Sequence, residues 1–378
     1  MRVMVVICEM LTGGAEVTAL ELIRALHGRG CDFVVAALHA GGELRDAFLA
    51  TGAAVYDGLA RFRFDPLGPV RVARLARRHD VDAVVVVDVA RNALFHGLLG
   101  AALARRKLPA LCWCNSRPDG QSGRFVWQLK TYRALGLLSG ILCTSRLQRR
   151  MLVQCGLPRS RMPLLRNGVD LGRFAGAART TLALPAGKKI IVHVANVMPD
   201  KDFATLLAAA ELLARRGSDF HLVLVGRGTD SPDMLGQLQR RGIEPFVTAA
   251  GRRDDVPGIL AAADALLLSS RREVFNVATI EAMAAGLPVV VSDIPAFDEM
   301  FVHGREGLKF PPGNPAALAD AVEQLLDDES LRRRLAQAAR RRAERFSQAA
   351  MAHSFRRLIA SVTRQRGQAT FRRPPNSQ

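Results

Sequence analysis

The sequence predicts an α/β protein built from two Rossmann-like domains that face each other across a central cleft. Its 378 residues exceed the roughly 100 to 200 residues of a typical single domain. Short β-branched runs alternate with longer helical patterns, which is typical of parallel strands joined by crossover helices. This alternation starts again at Lys188, so we expect a second domain of the same class.

The first domain is assigned to residues 1–172. Its clearest strands are expected at 2–8, 32–38 and 83–87, and its clearest helices at 15–28 and 90–106. The run Ala83–Val87 has no polar alternation. Such a run indicates a strand that helices cover on both faces.

The second domain is assigned to residues 173–346, after a polar joint within 170–185. Its strands are expected at 188–195, 222–225, 246–250, 265–269 and 288–292. An amphipathic helix at 347–363 is expected to pack back toward the first domain. The remaining residues, 364–378, are polar and basic, which predicts a disordered tail.

The charge balance is strongly basic. The chain has 53 Lys and Arg against 35 Asp and Glu, a formal net charge of +18, which attracts phosphates and anionic lipid. Basic residues cluster within 61–78 and 332–345. Solvated surface charge and an anionic membrane surface both remain open as explanations. Nucleic acid is disfavoured, because 2 Trp and 2 Tyr offer few stacking platforms.

Compartment and metal content follow from the cysteines and the apolar runs. All six cysteines fall in the first half, mostly in apolar runs, which predicts reduced thiols in the cytoplasm. Cys112 and Cys114 stand too close together for a two-residue metal knuckle, so no metal site is predicted. The start of the chain resembles a strand rather than a signal peptide. No apolar stretch reaches the length of a membrane span, so membrane contact would be peripheral, on the inner face of the plasma membrane.

Four distinctive loops follow predicted strands, at the sheet edge where open α/β sheets bind ligands. They are residues 13–16, 196–202, 225–228 and 270–281. In the first loop, the pair Gly13 and Gly14 lets backbone amides approach a phosphate at a helix N-terminus. A purely structural tight turn explains the pair equally well, and the G-x-G-x-x-G dinucleotide pattern is not met.

In the last loop, Glu273 and Glu281 are separated by seven residues, and a helix runs on to Gly286. Both carboxylates are expected to point into the cleft. The backbone amides at the start of the helix are expected to face a bound anion. Two hydroxyl acceptors around a diphosphate site suit a nucleotide sugar.

These residues resemble the retaining glycosyltransferases of family 4, which have the GT-B fold. Residues 273–289, EVFNVATIEAMAAGLPV, look like the E-x7-E motif of that family. Residues 13–16 resemble its glycine loop, 167–170 its interdomain N-G-V-D, and 199–201 its phosphate-binding lysine segment. The resemblance covers residues 1–362.

The resemblance implies roles for individual residues. Glu281 would bind the ribose hydroxyls, Glu273 the hydroxyls of the transferred sugar, and Lys201 the diphosphate. Glu273, Lys201 and Asn115 are the residues expected to carry catalysis. The expected donor-binding set is Gly13, Gly14, Asn196, Lys201, Gly226, Arg227, Glu273, Val274, Phe275, Asn276 and Glu281.

The chain departs from the family pattern at three places. Asn196 stands where the family often has an arginine that shares the diphosphate. Two interpretations stay open: Arg227, Arg252 or Arg253 supplies that charge, or the charge of the leaving group is less well stabilised. Val274 and Asn276 stand where glycines are usual. The histidine of the first domain would fall within 113–117, where this chain has none, and Asn115 or Ser116 is expected to substitute.

The function implied is retaining, metal-independent sugar transfer from a UDP- or GDP-linked donor, without a cofactor. The acceptor expected is a glycan or lipid-linked glycan, in synthesis of a bacterial-type surface polysaccharide or glycolipid. A nucleotide-sugar epimerase or hydrolase on the same fold is one alternative. A basic nucleic-acid-binding protein is the other.

Overall fold

The chain folds into two compact units. This computed structural model describes residues 1–88, 91–105, 108–115, 117–118 and 123–370. The first unit comprises Met1–Gly168 together with Gln348–Gln378, and the second comprises Val169–Ser347. The division falls four residues before the boundary expected at 172/173. It does so because the Val169 amide already donates to the carbonyl of Phe346, at 2.9 Å, inside the second unit.

The first unit contains a six-stranded parallel sheet in the order β3-β2-β1-β4-β5-β6. Its strands are β1 (Arg2–Ile7), β2 (Asp32–Ala37), β3 (Ala54–Tyr56), β4 (Ala83–Asp88), β5 (Ala110–Cys114) and β6 (Gly140–Cys143). Its helices before the second unit are α1 (Gly14–Leu26), α2 (Arg45–Leu49), α3 (Gly68–Arg78), α4 (Arg91–Ala104), α5 (Arg124–Ala134) and α6 (Arg146–Gln154).

The second unit repeats this topology. Its sheet has the order β12-β11-β10-β7-β8-β9, which is the same winding when counted from β7. The strands are β7 (Lys189–Val194), β8 (Phe220–Val225), β9 (Val247–Gly251), β10 (Ala265–Leu268), β11 (Val289–Ser292) and β12 (Gly307–Phe310). The helices are α7 (Phe203–Arg215), α8 (Pro232–Arg241), α9 (Val256–Ala261), α10 (Val277–Ala285), α11 (Pro315–Asp327) and α12 (Glu329–Ala343). The predicted α/β class with two Rossmann-like domains is confirmed.

The last helix, α13 (Gln348–Thr370), returns to the first unit. Phe355 and Ile359 are fully buried, and the Phe355 ring lies 5.9 Å from that of Phe33. The expectation of a disordered tail over 364–378 is wrong for residues 364–370, which continue the helix. A single glycine among good helix formers does not end a helix. Residues 371–378 lie outside the described residues.

Strand alternation explains the two cores of the first unit. In β1, Met4 and Val6 pack on one face of the sheet, with residues of α3, α4, α5 and α6. Val3 and Val5 pack on the other face, with residues of α1 and α13. Successive residues of a strand point to opposite faces, so a sheet covered on both sides needs uninterrupted apolar strands.

The six cysteines form no disulfide, and five of them are buried. Among the described residues, no helix is both long enough and apolar enough to cross a bilayer.

Candidate functional site

The candidate site lies at the carboxyl edge of the second sheet, where β7, β8 and β10 end side by side. The chain leaves β7 toward β8 on one side, and β10 lies on the other, so this is the switch point of the topology. Open α/β sheets bind ligands at such a point, because the loops diverge there.

Lys201 and Glu273 form the centre of this edge. The Lys201 Nζ lies 2.5 Å from Glu273 Oε1, and the two side chains are 19% and 10% exposed. The Ser270 hydroxyl and the Asn276 amide also donate to Glu273 Oε1, each at 2.9 Å. A carboxylate oxygen with three donors is held in one position.

Local structure fixes both residues. Residues Pro199–Lys201 make one 3-10 turn before α7, and Asn276 is the N-cap of α10. The Asn276 Oδ1 accepts from the Thr279 amide at 2.9 Å, which leaves its amide group to donate to Glu273. The Asn276 side chain therefore links the start of α10 to Glu273.

A second set of contacts, which sequence reasoning missed, joins the loop after β7 to the loop after β10. Asp202 adopts a left-handed conformation with φ of 49° and caps α7. Arg271 Nε donates to Asp202 Oδ2 at 2.7 Å. The Ser269 hydroxyl donates to the carbonyls of Lys201 and Asp202, at 2.9 and 3.0 Å. Asp202 and Arg271 carry opposite charges on loops that follow strands. This complementarity was the sequence feature that could have indicated their contact.

Arg271 also affects the titration of Asp202. Burial alone would raise the pKa of this carboxyl, but hydrogen bonds from Arg271 and Thr205 outweigh it and hold the pKa below its ordinary value. Arg272 makes a parallel contact, since its Nε and a terminal nitrogen lie 2.9 and 2.7 Å from Asp200 Oδ1. These ion pairs tie down the backbone on both sides of Lys201.

Gly226, Arg227 and Asn196 meet at the end of β8. A Cβ at Gly226, whose φ is 142°, would lie 2.1 Å from the carbonyl oxygen of Ala195, so only glycine fits there. The Asn196 Oδ1 accepts from the Arg227 amide at 2.9 Å. Asn196 thus stabilises the start of the loop after β8 through this hydrogen bond.

The arginines expected to supply the missing charge have partners of their own. Arg253 Nε lies 2.8 Å from Asp255 Oδ1, and Arg252 lies 3.5 Å from Asp254 Oδ1. Arg227 is exposed. The positive charges of Arg252 and Arg253 are therefore offset by the carboxylates of Asp254 and Asp255.

The other expected residues of the second unit lie around this edge. Glu281 is half-buried in the second turn of α10. The Phe275 ring lies 5.8 Å from that of Phe346, and the preceding Val274 is half-buried. The structure therefore brings Lys201, Glu273 and Asn276 into one network.

The expected residues of the first unit lie at the carboxyl edge of their own sheet. Helix α1 begins at Gly14, with Gly13 as an N-cap that has no side chain to bond the amides. The buried Glu16 reaches back toward this N-terminus, because a Cβ at Gly13 would lie 2.4 Å from its Oε2. Asn115 donates to the carbonyl of Trp113 at 3.2 Å. Ser116 lies outside the described residues.

His193, in the strand that precedes the Lys201 segment, is kept neutral by its burial. His193 in β7 is fully buried, and its Nδ1 lies 2.9 Å from the carbonyl oxygen of Leu267. Since a carbonyl only accepts, Nδ1 carries the proton. Burial lowers the pKa of His193 to about 3, so the ring is neutral at pH 7.

Within the described residues, one group of three side chains could hold a metal ion: Cys8, Glu9 and His39 in the first unit. The Cys8 thiol already bonds Asn92 at 3.6 Å, and burial raises its pKa. The expectation of a metal-free protein stays a prediction.

Two family models match consecutive parts of the chain. The model described as Glycosyltransferase Family 4 matches residues 12–173, and the model described as Glycosyl transferases group 1 matches residues 176–342. Together they cover both units described above.

Curated relatives and solved structures agree with these matches. The phosphatidyl-myo-inositol mannosyltransferase of Mycobacterium tuberculosis is 28% identical over 363 residues, which is 93% of each chain. The glycogen synthase of the same organism is 27% identical, over 71% of this chain and 60% of its own length. The crystal structure of Anabaena HepE with UDP and glucose superposes with a TM-score of 0.80, at 22% identity, over 96% of this chain and all of that one. This chain has the GT-B fold and belongs to glycosyltransferase family 4, among the group 1 glycosyltransferases.

Proposed function

We propose that the protein is a retaining, metal-independent glycosyltransferase that moves a sugar from a UDP- or GDP-linked donor to a glycan or lipid-linked acceptor. The observation that carries this proposal is the pair of Lys201 and Glu273 beside the capped N-terminus of α10. A cation and helix amides suit a diphosphate, and a fixed carboxylate suits sugar hydroxyls. The names of the mannosyltransferase relatives and the UDP bound to HepE point in the same direction.

Donor binding would exchange partners within the Lys201 network. The diphosphate takes the Lys201 ammonium, and Glu273 Oε1 then accepts from hydroxyls of the sugar in place of the lysine. Ser270 and Asn276 keep Glu273 in position during this exchange, because both still donate to it. Glu281, further along α10, would accept from the ribose hydroxyls.

In the transfer step, the acceptor oxygen bonds to the anomeric carbon as the bond from that carbon to the leaving phosphate oxygen breaks. The acceptor attacks on the face from which the nucleotide leaves, so its proton passes to the leaving phosphate oxygen. Lys201 and the amides of α10 stabilise the negative charge that develops on the nucleoside diphosphate. Positioning and charge neutralisation are thus the main contributions of the protein.

A basic and apolar surface on the first unit supports a peripheral location on the cytoplasmic face of an anionic membrane. Phe62, Phe64 and Leu67 are 58%, 48% and 56% exposed, and Arg61 and Arg63 are interleaved with them. Aromatic and basic side chains together suit the interface of a bilayer with anionic headgroups. A lipid-linked acceptor would reach the enzyme from that surface.

The test is turnover with Lys201→Ala and a matched control, Lys189→Ala, at the opposite end of β7. Release of nucleoside diphosphate from UDP- and GDP-sugars is measured with and without phosphatidylinositol or polyprenyl-diphosphate sugars, and NMR gives the anomeric configuration of the product. We expect Lys201→Ala to lower kcat by about 100-fold or more, because a charged group aimed at the leaving phosphate is lost. Lys189→Ala should stay within about twofold, since the ion pair of Lys189 among the described residues is a long one, to Asp264 at 3.7 Å.

Three results would contradict the proposal. Lys201→Ala with wild-type turnover would remove the role given to that residue. Equal sugar release without any acceptor would indicate a hydrolase. An inverted anomeric configuration in the product would exclude the retaining mechanism.

A further inference from the structure

The first unit carries a groove lined by arginines. It has a volume of about 510 Å³. Its lining residues are Arg146, Arg149, Arg150, Val153, Gln154 and Arg159. Four of these six side chains are cationic, and none is acidic.

The geometry of α6 explains this concentration of charge. Positions 146, 149, 150, 153 and 154 follow the pattern i, i+3, i+4, i+7, i+8, which places them on one face of the helix. Gln148 and Leu152 occupy the other face and are fully buried. Arg159, in the 3-10 turn Arg159–Arg161 that follows, adds a fourth cation to the same groove.

The sequence around this groove is strongly basic. Residues 120–169 contain nine Lys and Arg and no Asp or Glu. The ion pairs found among the described residues do not include Arg149, Arg150 or Arg159, whereas Arg71, Arg253 and Arg271 each pair with an aspartate. Arginines spaced four apart on one helix face repel each other. Such a face is stabilised when an external anion binds to it.

We propose that this groove is a second anion site, which binds a ligand with two or more adjacent phosphate groups. Guanidinium groups bind phosphate oxygens through two parallel hydrogen bonds, and several guanidinium groups in one groove favour several phosphates over a single one. The other two lining residues, Val153 and Gln154, are uncharged. The ligand is either a soluble oligophosphate or the headgroups of an anionic lipid surface, and the two share this phosphate chemistry.

The experiment uses the full-length protein and two probes. Tripolyphosphate binding is measured by titration calorimetry at low ionic strength, and vesicle binding by co-sedimentation with phosphatidylglycerol or phosphatidylcholine. The groove variant is Arg149→Gln/Arg150→Gln/Arg159→Gln. The matched control is Arg340→Gln/Arg341→Gln/Arg345→Gln, which removes three exposed arginines from the second unit and changes the net charge equally. Phosphate bound at Lys201 is common to all three proteins.

We expect the groove variant to weaken binding of at least one probe by about tenfold or more, and the control by less than about twofold. Selective loss of tripolyphosphate identifies a soluble ligand, and selective loss of phosphatidylglycerol vesicles identifies headgroups. Equal losses in both variants, or no binding of either probe to the wild type, would overturn the proposal. If the triple variant does not fold, Arg150→Glu against Arg340→Glu makes the same comparison with single exposed residues.

Discussion

At the scale of single residues, the surroundings of two glycines in the predicted site differ in whether they exclude a larger side chain. A Cβ at Gly226 would collide with the backbone of Ala195, whereas a Cβ at Gly14 meets no atom of the chain within 4 Å. Gly226 is therefore required by the fold. Gly14 is free to change as far as the chain itself is concerned, so any need for glycine there comes from a ligand.

The first prediction separates these two causes. Gly226→Ala should lower the free energy of unfolding by roughly 2 to 5 kcal/mol, because it adds a clash to a strained backbone. Gly14→Ala should keep or raise stability by up to about 1 kcal/mol, since alanine favours a helix. It should nevertheless lower turnover by about 10- to 100-fold if a phosphate approaches that backbone. Urea unfolding measures the effect on stability, and steady-state kinetics measures the effect on turnover. Unchanged turnover in Gly14→Ala would show that no phosphate approaches the N-terminus of α1.

The second prediction concerns His193, whose neutral ring follows from its burial. Its ordinary pKa of 6.5 falls to about 3 in the fold, so its ¹⁵N resonances should not titrate between pH 5 and 8. The unfolded chain binds this proton below pH 6.5 while the folded chain does not until about pH 3. Stability should therefore decrease as the pH falls from 6.5 toward 3, and His193→Leu should remove that part of the slope. A titration midpoint between pH 5 and 7 would show that the ring is not buried as described.

At the scale of elements, the start of α7 depends on one aspartate in an unusual conformation. Asp202 has a positive φ, accepts from the Thr205 amide at 3.3 Å and pairs with Arg271. Capping favours this side chain, while the left-handed backbone opposes any residue with a Cβ. Replacing Asp202 by glycine would remove the cap and also relieve the backbone strain. Replacing it by alanine would remove the cap and leave the strain in place.

The third prediction uses that contrast. Asp202→Ala should cost about 2 to 3 kcal/mol of unfolding free energy, and Asp202→Gly about 1 kcal/mol, because only alanine retains the backbone strain. Asp233→Ala, an exposed first-turn aspartate of α8, serves as the control and should cost less than about 0.5 kcal/mol. Chemical denaturation measures all three. Equal costs for alanine and glycine would contradict the role given to backbone strain.

Sequence patterns located the strands and the glutamate loop because apolar periodicity and capping are local properties. The runs at 83–87 and 265–269 became β4 and β10 with shifts of one residue or none at each end. The contacts of Arg271 and Arg272 with Asp202 and Asp200 could not be found in this way. They join residues about 70 positions apart, and only the pairing of β10 beside β7 brings these loops together.

For the whole molecule, the core of the first unit depends on a helix from the far end of the chain. Phe355 and Ile359 of α13 are fully buried in the same core as Val3 and Val5 of β1. The second unit has a core of its own around Ile191 and Leu206. Damage to α13 should therefore be confined to one unit.

The fourth prediction tests this division. Phe355→Ala should destabilise the first unit by about 3 to 5 kcal/mol, through lost burial and a residual cavity. Hydrogen exchange should then accelerate in β1 and β2 and stay unchanged in β7 and β8. Phe62→Ala, at a position 58% exposed, should change neither. Equal acceleration in both units would show that they unfold as one.

Binding of a nucleotide sugar at the carboxyl edge of the second sheet is measured by titration calorimetry. UDP- and GDP-sugars are titrated, without added metal, into the wild type, Glu281→Gln and the exposed control Glu244→Gln. We expect binding that is selective for one base. Its affinity should fall by about 10- to 100-fold in Glu281→Gln, because charged hydrogen bonds to the donor are lost, and should be unchanged in the control. Absence of binding by every nucleotide sugar tested, or equal affinity in all three proteins, would contradict this prediction.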